Sequence, residues 1–141
     1  MRVLALDLGM KRVGVAISDP MGWTAQPVAT LAVTPDHAWA AKVAKLCQER
    51  EVEEVLVGIP LDTDGTPGLA AARTRKLAAK LKPHLPKTLP VKEVDERLSS
   101  RQAENLMIDA DVSRARRKEV LDQLSACVFL QSYLDAKARG R

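Results

Sequence analysis

Three acidic positions stand out in a chain of 141 residues that holds only 2 His and 2 Cys. Asp7 closes the apolar run Val3-Leu4-Ala5-Leu6, where alternation puts Val3, Ala5 and Asp7 on one face of a strand that is apolar on both sides. An ionised carboxylate in such a place is costly unless a cation or several donors meet it. An aspartate that binds the amides of the following turn also fits. Asp122 heads a stripe with Ala126, Phe129 and Tyr133 at i, i+4, i+7 and i+11, the repeat of one helix face. The alternative there is an acid favoured by a helix N-terminus, a description Glu119 fits better. Asp95 and Glu96 are adjacent, so at most one of them faces the side that Asp7 faces. A surface ion pair with Arg97 accounts for either of them, and periodicity does not choose between the two.

Three carboxylates brought to one point repel one another and raise their own pKa values. Divalent metal removes that conflict. A set of hard oxygen ligands with no His or Cys suits Mg2+ or Mn2+. Two such ions about 3.5–4 Å apart activate water and stabilise the leaving oxygen in phosphodiester hydrolysis. The residue chemistry therefore points to a metal-dependent nuclease, and the few His and Cys argue against a structural zinc site.

The distribution of positive charge agrees with an anionic substrate. The net charge is +4, and between Thr66 and Lys92 seven bases (Arg73, Arg75, Lys76, Lys80, Lys82, Lys87 and Lys92) occur without one acid. Arg114, Arg116, Arg117 and Lys118 form a second cluster. Aromatic residues make up only 3% of the chain, which argues against a platform for stacked bases. Phosphates are then gripped and bases mostly not read. Lys11 and Arg12 follow Asp7 on a turn, where they reach the scissile or a neighbouring phosphate or else form a solvated hairpin tip. Arg73, Lys76 and Lys80 share one helix face at i, i+3 and i+7, usually a solvated pattern, but the lack of acids around them favours phosphate contact. Arg97 joins Arg114, Arg116 and Arg117 among the candidate phosphate contacts. Trp23 and Trp39 read as core or interface, and His37 and His84 take no catalytic role.

The elements that must position these groups follow from pattern. Val3–Leu8 and Val13–Ser18 read as a hairpin around Gly9-Met10-Lys11-Arg12, and Val28–Val33 as a third strand. Pro35 and Asp36 open a helix to about Glu49, with Trp39, Val43 and Leu46 on one face. A short strand over Val55–Ile59 leads through a turn-rich loop to a basic helix from Leu69 to Lys82. Val91–Arg97 is a fifth strand, Ser99 and Gln102 start a helix to about Ala110, and a long helix runs from Arg116 to Lys137. Strands joined by tight turns pair antiparallel and strands separated by helices pair parallel. The expected fold is thus one α/β domain over residues 1–141: a five-stranded mixed sheet, with a three-stranded antiparallel half, two parallel strands and helices on its faces. No apolar run reaches the roughly 18–20 residues of a membrane helix, and the apolar start before Asp7 is too short for a signal peptide. Cys47 and Cys127, without metal-ligand spacing, read as reduced thiols of a cytoplasmic protein.

Four motifs carry a resemblance that spans essentially the whole chain. Asp7-Leu8-Gly9-Met10-Lys11-Arg12-Val13-Gly14-Val15-Ala16-Ile17-Ser18-Asp19 resembles the N-terminal signature of the YqgF/RuvX family. Gly58-Ile59-Pro60-Leu61 with Asp64-Gly65-Thr66, and then Asp95-Glu96-Arg97-Leu98-Ser99-Ser100, are similar to its later motifs in order and spacing. The resemblance implies a ribonuclease H-like fold related to RuvC resolvases. It also implies a nuclease of the 5′ end of pre-16S rRNA or, for some members, a Holliday-junction resolvase. It carries the acidic site onto Asp7, Glu96 and Asp122 as catalytic and metal-binding residues, choosing Glu96 over Asp95. The family tends to follow its third acid with paired alanines, whereas Gln123-Leu124-Ser125-Ala126 follows Asp122 here.

Two further classes compete with an enzyme that cuts nucleic acid. One is a ribosome-assembly factor that binds nucleic acid without cutting it, suggested by the altered context of Asp122. The other is an actin-like phosphotransferase, whose two lobes do not fit in one domain of this length. A resolvase, by contrast, requires a symmetric dimer, since it cuts one substrate at two places.

Overall fold

The structure, a computed structural model, describes residues 1–61, 64–96 and 114–140, and in the last stretch it describes side chains from Gln123 onward. The five strands are β1 (Val3–Leu8), β2 (Arg12–Ser18), β3 (Ala25–Ala32), β4 (Glu54–Ile59) and β5 (Val91–Asp95). Among the described residues three α-helices accompany them: α1 (Ala38–Glu49), α2 (Leu69–Leu81) and α3 (Arg114–Arg139). The sheet order is β3-β2-β1-β4-β5, with β1, β2 and β3 antiparallel and β4 and β5 parallel to β1. This is the mixed sheet that the pattern of turns and helices predicts.

Both faces of the sheet are covered, which is why β1 and β4 are apolar apart from Asp7 and Glu54. On one face Leu4, Leu6, Val13, Val15, Val55 and Val57 pack with Trp39, Val43 and Cys47 of α1 and with Ala71, Ala78 and Leu81 of α2. On the other, Val3, Ala5, Ala16 and Leu56 pack with Ala126, Phe129, Leu130 and Leu134 of α3. The period-two alternation of β1 therefore delivers odd-numbered residues, Asp7 among them, to the side of α3.

Several boundaries move by one to three residues from the sequence expectation, and three of the shifts have a physical reason. The third strand starts at Ala25 rather than Val28, because an edge strand accommodates Pro27 and an irregularity. Val15 pairs with Ala29 and Ala16 with Pro27, leaving Val28 as the extra residue of a bulge. Helix α1 starts at Ala38 rather than at Pro35 or Asp36, because His37 sits in the left-handed region (φ 53°, ψ 37°) and precludes helix before it. Strand β5 ends at Asp95, so Glu96 follows the strand instead of lying inside it. The expected helix from Ser99 to Ala110 lies outside the described residues. Trp39 is core as expected, whereas Trp23 is half exposed.

Candidate active site

Two tight approaches shape the carboxyl end of the sheet. Gly9 donates its N–H to Arg12 O at 2.9 Å, and a Cβ on Gly9 would come within 2.8 Å of that same carbonyl. Only glycine fits this hairpin, whose tip presents Met10. Gly58 is the second. A Cβ there would collide with Glu96 Oε2 and would lie 2.7 and 2.9 Å from the Phe129 ring. A glycine inside a buried strand marks a place where another group must come close, and here that group is a carboxylate. Glu96 Oε2 is buried, and the Glu96 amide donates to Ile59 O at 3.2 Å, tying the residue to the end of β4.

At this end a cavity of about 290 Å³ is lined by Asp7, Glu96, Arg73 and Thr74, together with Met10, Pro60 and other apolar or glycine neighbours. Asp7 comes from β1, opposite Gly14 in the β1–β2 ladder. Glu96 comes from the end of β5, and Arg73 and Thr74 from α2. Thr74 is buried and polar, while Arg73 is exposed, its Nη1 3.7 Å from Met10 Sδ. Asp95 is exposed and does not line the cavity. The remaining motif residues build the adjoining loop. Asp64 Oδ1 accepts the Thr66 amide at 3.0 Å and its hydroxyl at 2.6 Å, Gly65 takes φ 87°, and Leu61 bridges Pro67.

Asp122 lies within α3, one helical turn before Ala126 and two before Phe129, and its side chain is outside the described residues. Among the described residues no group of three His, Cys, Asp or Glu is placed to hold a metal ion. The structure thus brings together two of the three predicted acids. Arg114, Arg116 and Arg117 belong to the first turn of α3 with their side chains likewise undescribed, and Arg97 lies outside the described residues. The hairpin contributes Met10 to the cavity rather than Lys11 or Arg12. A neighbouring groove of about 320 Å³ is lined by Arg73, Lys76 and Lys80, as their shared helix face predicts, together with Met10, His37 and Leu77.

Sequence reasoning gave Gly58, Phe129, Thr74 and Met10 no part in the site, although Met10 and Gly58 stand in its motifs and Phe129 in the stripe of Asp122. The first had a legible signal, a lone glycine within an apolar strand. A concavity larger than the acidic cavity, about 940 Å³, lies elsewhere, between α1 and the segment His84–Leu89. Glu51 and Glu53 line it together with Lys45 and His84, but neither acid belongs to a motif of the sequence, and burial pushes the thiol of Cys47 on its wall up to about 11. Cys127 is raised to about 11 by the same cause, and neither cysteine forms a disulfide.

Comparison with known proteins agrees with this architecture. The RuvX family model, described as Holliday junction resolvase, matches residues 1–136. A protein of Syntrophomonas wolfei named "Putative pre-16S rRNA nuclease" is 45% identical over 141 residues, covering 100% of this chain and 99% of its own. One of the same name from Listeria monocytogenes serotype 4b is 47% identical over 137 residues, covering 96% and 98%. Among solved structures, Thermus thermophilus RuvC superposes with a TM-score of 0.61 at 16% identity, covering 99% of this chain and 97% of that one. Fowlpox virus resolvase, solved with Holliday junction DNA, gives 0.57 at 13% identity, covering 97% and 99%. These likenesses establish the ribonuclease H-like fold, and on the match of sequence the chain belongs to the RuvX family.

Proposed function

We propose that this chain is a metal-dependent endonuclease that hydrolyses phosphodiester bonds in structured nucleic acid, with the 5′ end of pre-16S rRNA as its substrate. One observation carries the reading: Asp7 and Glu96, distant in sequence, line a single cavity with Arg73 at its wall. The relatives' name supplies the substrate.

The donor set fits Mg2+ or Mn2+, since carboxylate oxygens are hard ligands and no His or Cys lines the cavity. Asp7 and Glu96 would hold the metal, with Asp122 of α3 as the third ligand. When bound, such ions supply Lewis acidity and an activated water for in-line hydrolysis. The chain's own groups do the rest. Gly58 keeps space for the Glu96 carboxylate beside the Phe129 ring, which fixes where that charge sits. Arg73 stands at the rim as a cation for a phosphate oxygen, and the apolar lining from Leu8 to Leu77 limits water around the site. Lys11, Arg12, Arg97, Arg114, Arg116 and Arg117 provide further positive charge for the backbone. The reaction belongs in the cytoplasm.

The test is cleavage of a pre-16S rRNA fragment by wild-type protein and by Asp7→Asn, with and without Mg2+ or Mn2+. Cleavage should need metal and vanish in the variant while binding persists. Normal cutting by Asp7→Asn ends the assignment, and binding without cutting under any metal favours an assembly factor instead. A second reading, a dimeric Holliday-junction resolvase, is favoured by the description of the matching family. A four-way DNA junction in the same assay, with the oligomeric state measured on it, separates the two.

A further inference from the structure

The groove beside the acidic cavity carries more than a row of cations. Met10, Arg73 and Leu77 line both spaces, so one opens into the other. Along α2, Lys76 and Lys80 continue from Arg73 on the same face, all three exposed and none paired with a carboxylate among the described residues. Seven residues of helix from Arg73 to Lys80 advance about 10 Å, the reach of a few successive phosphates. Like charges at this spacing repel, so the face is built for an anion or for solvent.

His37 decides between these. It lines the groove at the N-terminus of α1, where the helix dipole favours negative charge. Its backbone is left-handed at φ 53°, a strained conformation for a residue with a Cβ, and its side chain makes no cap for the helix. Its Nδ1 is buried without a hydrogen-bond partner among the described residues. The one acid beside it, Asp36, is occupied: its carboxylate accepts the Thr34 hydroxyl and the Ala38 amide. Strain and an unspent imidazole nitrogen mark a residue placed for something other than stability.

We propose that this groove is a second subsite, which takes the sugar-phosphate backbone where it leaves the acidic cavity, with His37 hydrogen-bonding a phosphate oxygen between the α1 N-terminus and Lys76 and Lys80. It deepens the nuclease reading and rests on it only in that the bound strand is the one that is cut. His37 is a binding residue here and takes no part in bond cleavage.

The experiment is fluorescence anisotropy of a labelled RNA hairpin bound to full-length Asp7→Asn protein over a range of salt. In that background, Lys76→Gln with Lys80→Gln should weaken binding about tenfold and reduce the log–log salt slope by about 1.4–1.8, at roughly 0.7–0.9 per phosphate contact. His37→Gly should weaken binding about fivefold with little change of slope, while Tm holds or rises because glycine relaxes the positive φ. A residue with a purely structural role would lower both together. His37→Asn, which tolerates the same backbone, should lose the same affinity. Lys45→Gln, on an exposed ion pair with Glu49 at 3.7 Å, should change nothing. Unchanged affinity in the lysine pair overturns the subsite, and unchanged affinity in both His37 variants overturns the role of His37. Neither result touches the nuclease reading, which falls separately if Asp7→Asn protein still cuts the hairpin.

Discussion

Carboxylates lie at both ends of this sheet, and the protein treats them differently. At the amino end of β4, Glu54 is buried and fully answered: Lys92 Nζ lies 2.9 Å and Lys137 Nζ 3.8 Å from its Oε2, and the Tyr133 hydroxyl donates to its Oε1. Burial would push that carboxyl up, but the tyrosine and both lysines outweigh it and hold Glu54 below the ordinary carboxylate range. At the carboxyl end, Asp7 and Glu96 line a cavity to whose wall, among the described residues, the exposed Arg73 contributes a cationic side chain. The first arrangement ties α3 to β4 and β5; the second leaves its acids on the wall of a cavity.

That contrast can be broken by substitution. Asp7→Asn should lower cleavage by about 10³-fold, the scale of several kcal/mol of lost metal-assisted stabilisation, with Tm unchanged or raised. A thermal melt beside a cleavage assay checks it. Gly58→Ala should damage both properties, because its methyl meets Glu96 and Phe129. Overpacking of this kind costs about 1–3 kcal/mol, and displacing a catalytic group by about 1 Å costs on the order of 10²-fold in rate. Denaturant melts and single-turnover cleavage would measure the two effects.

Glu54→Gln should do the reverse of Asp7→Asn, lowering stability by about 2 kcal/mol while leaving cleavage largely intact. Because the folded-state pKa of Glu54 is depressed, its contribution is fully present above its ordinary value of 4.5 and is lost as pH falls through the lower folded value. Wild-type Tm should therefore fall more steeply than that of Glu54→Gln on acidification from about pH 5 to about pH 3. Equal slopes would mean that the cluster carries no net charge stabilisation. Smallest of all is Arg75→Gln. Its bidentate pair with Glu93, both contacts at 3.0 Å, joins α2 to β5 but is about half exposed. A small loss of stability is expected, vanishing in high salt, as a urea titration would show.

How far the sequence could be read depended on how local the cause was. The order of strands and helices was legible because buried strands force continuous apolar runs, and Val3–Leu8 and Val55–Ile59 have no other use. The pairing of antiparallel and parallel halves then followed from connection lengths. The start of β3 was not legible, since Gln26 and Pro27 look unlike a strand and only the edge position and the bulge at Val28 make them one. His37 was set aside because a left-handed backbone leaves no mark in side-chain pattern. At the site, Asp7 announced itself through the cost of an acid in an apolar strand. Between Asp95 and Glu96, periodicity had no answer, because the strand ends between them and alternation stops there. Gly58 was visible as a motif letter; its purpose, room for a carboxylate from another strand, is a tertiary fact.

The outer edge of β3 limits how this molecule can associate. Pro27 offers no amide hydrogen, Val28 interrupts the ladder, and the Ala25 amide is already given to Gln131 Oε1 at 2.9 Å. An incoming strand finds no regular row of donors there, so the sheet is not continued from one copy into the next along this border. Two copies that met on a branched substrate would have to join somewhere other than along this border.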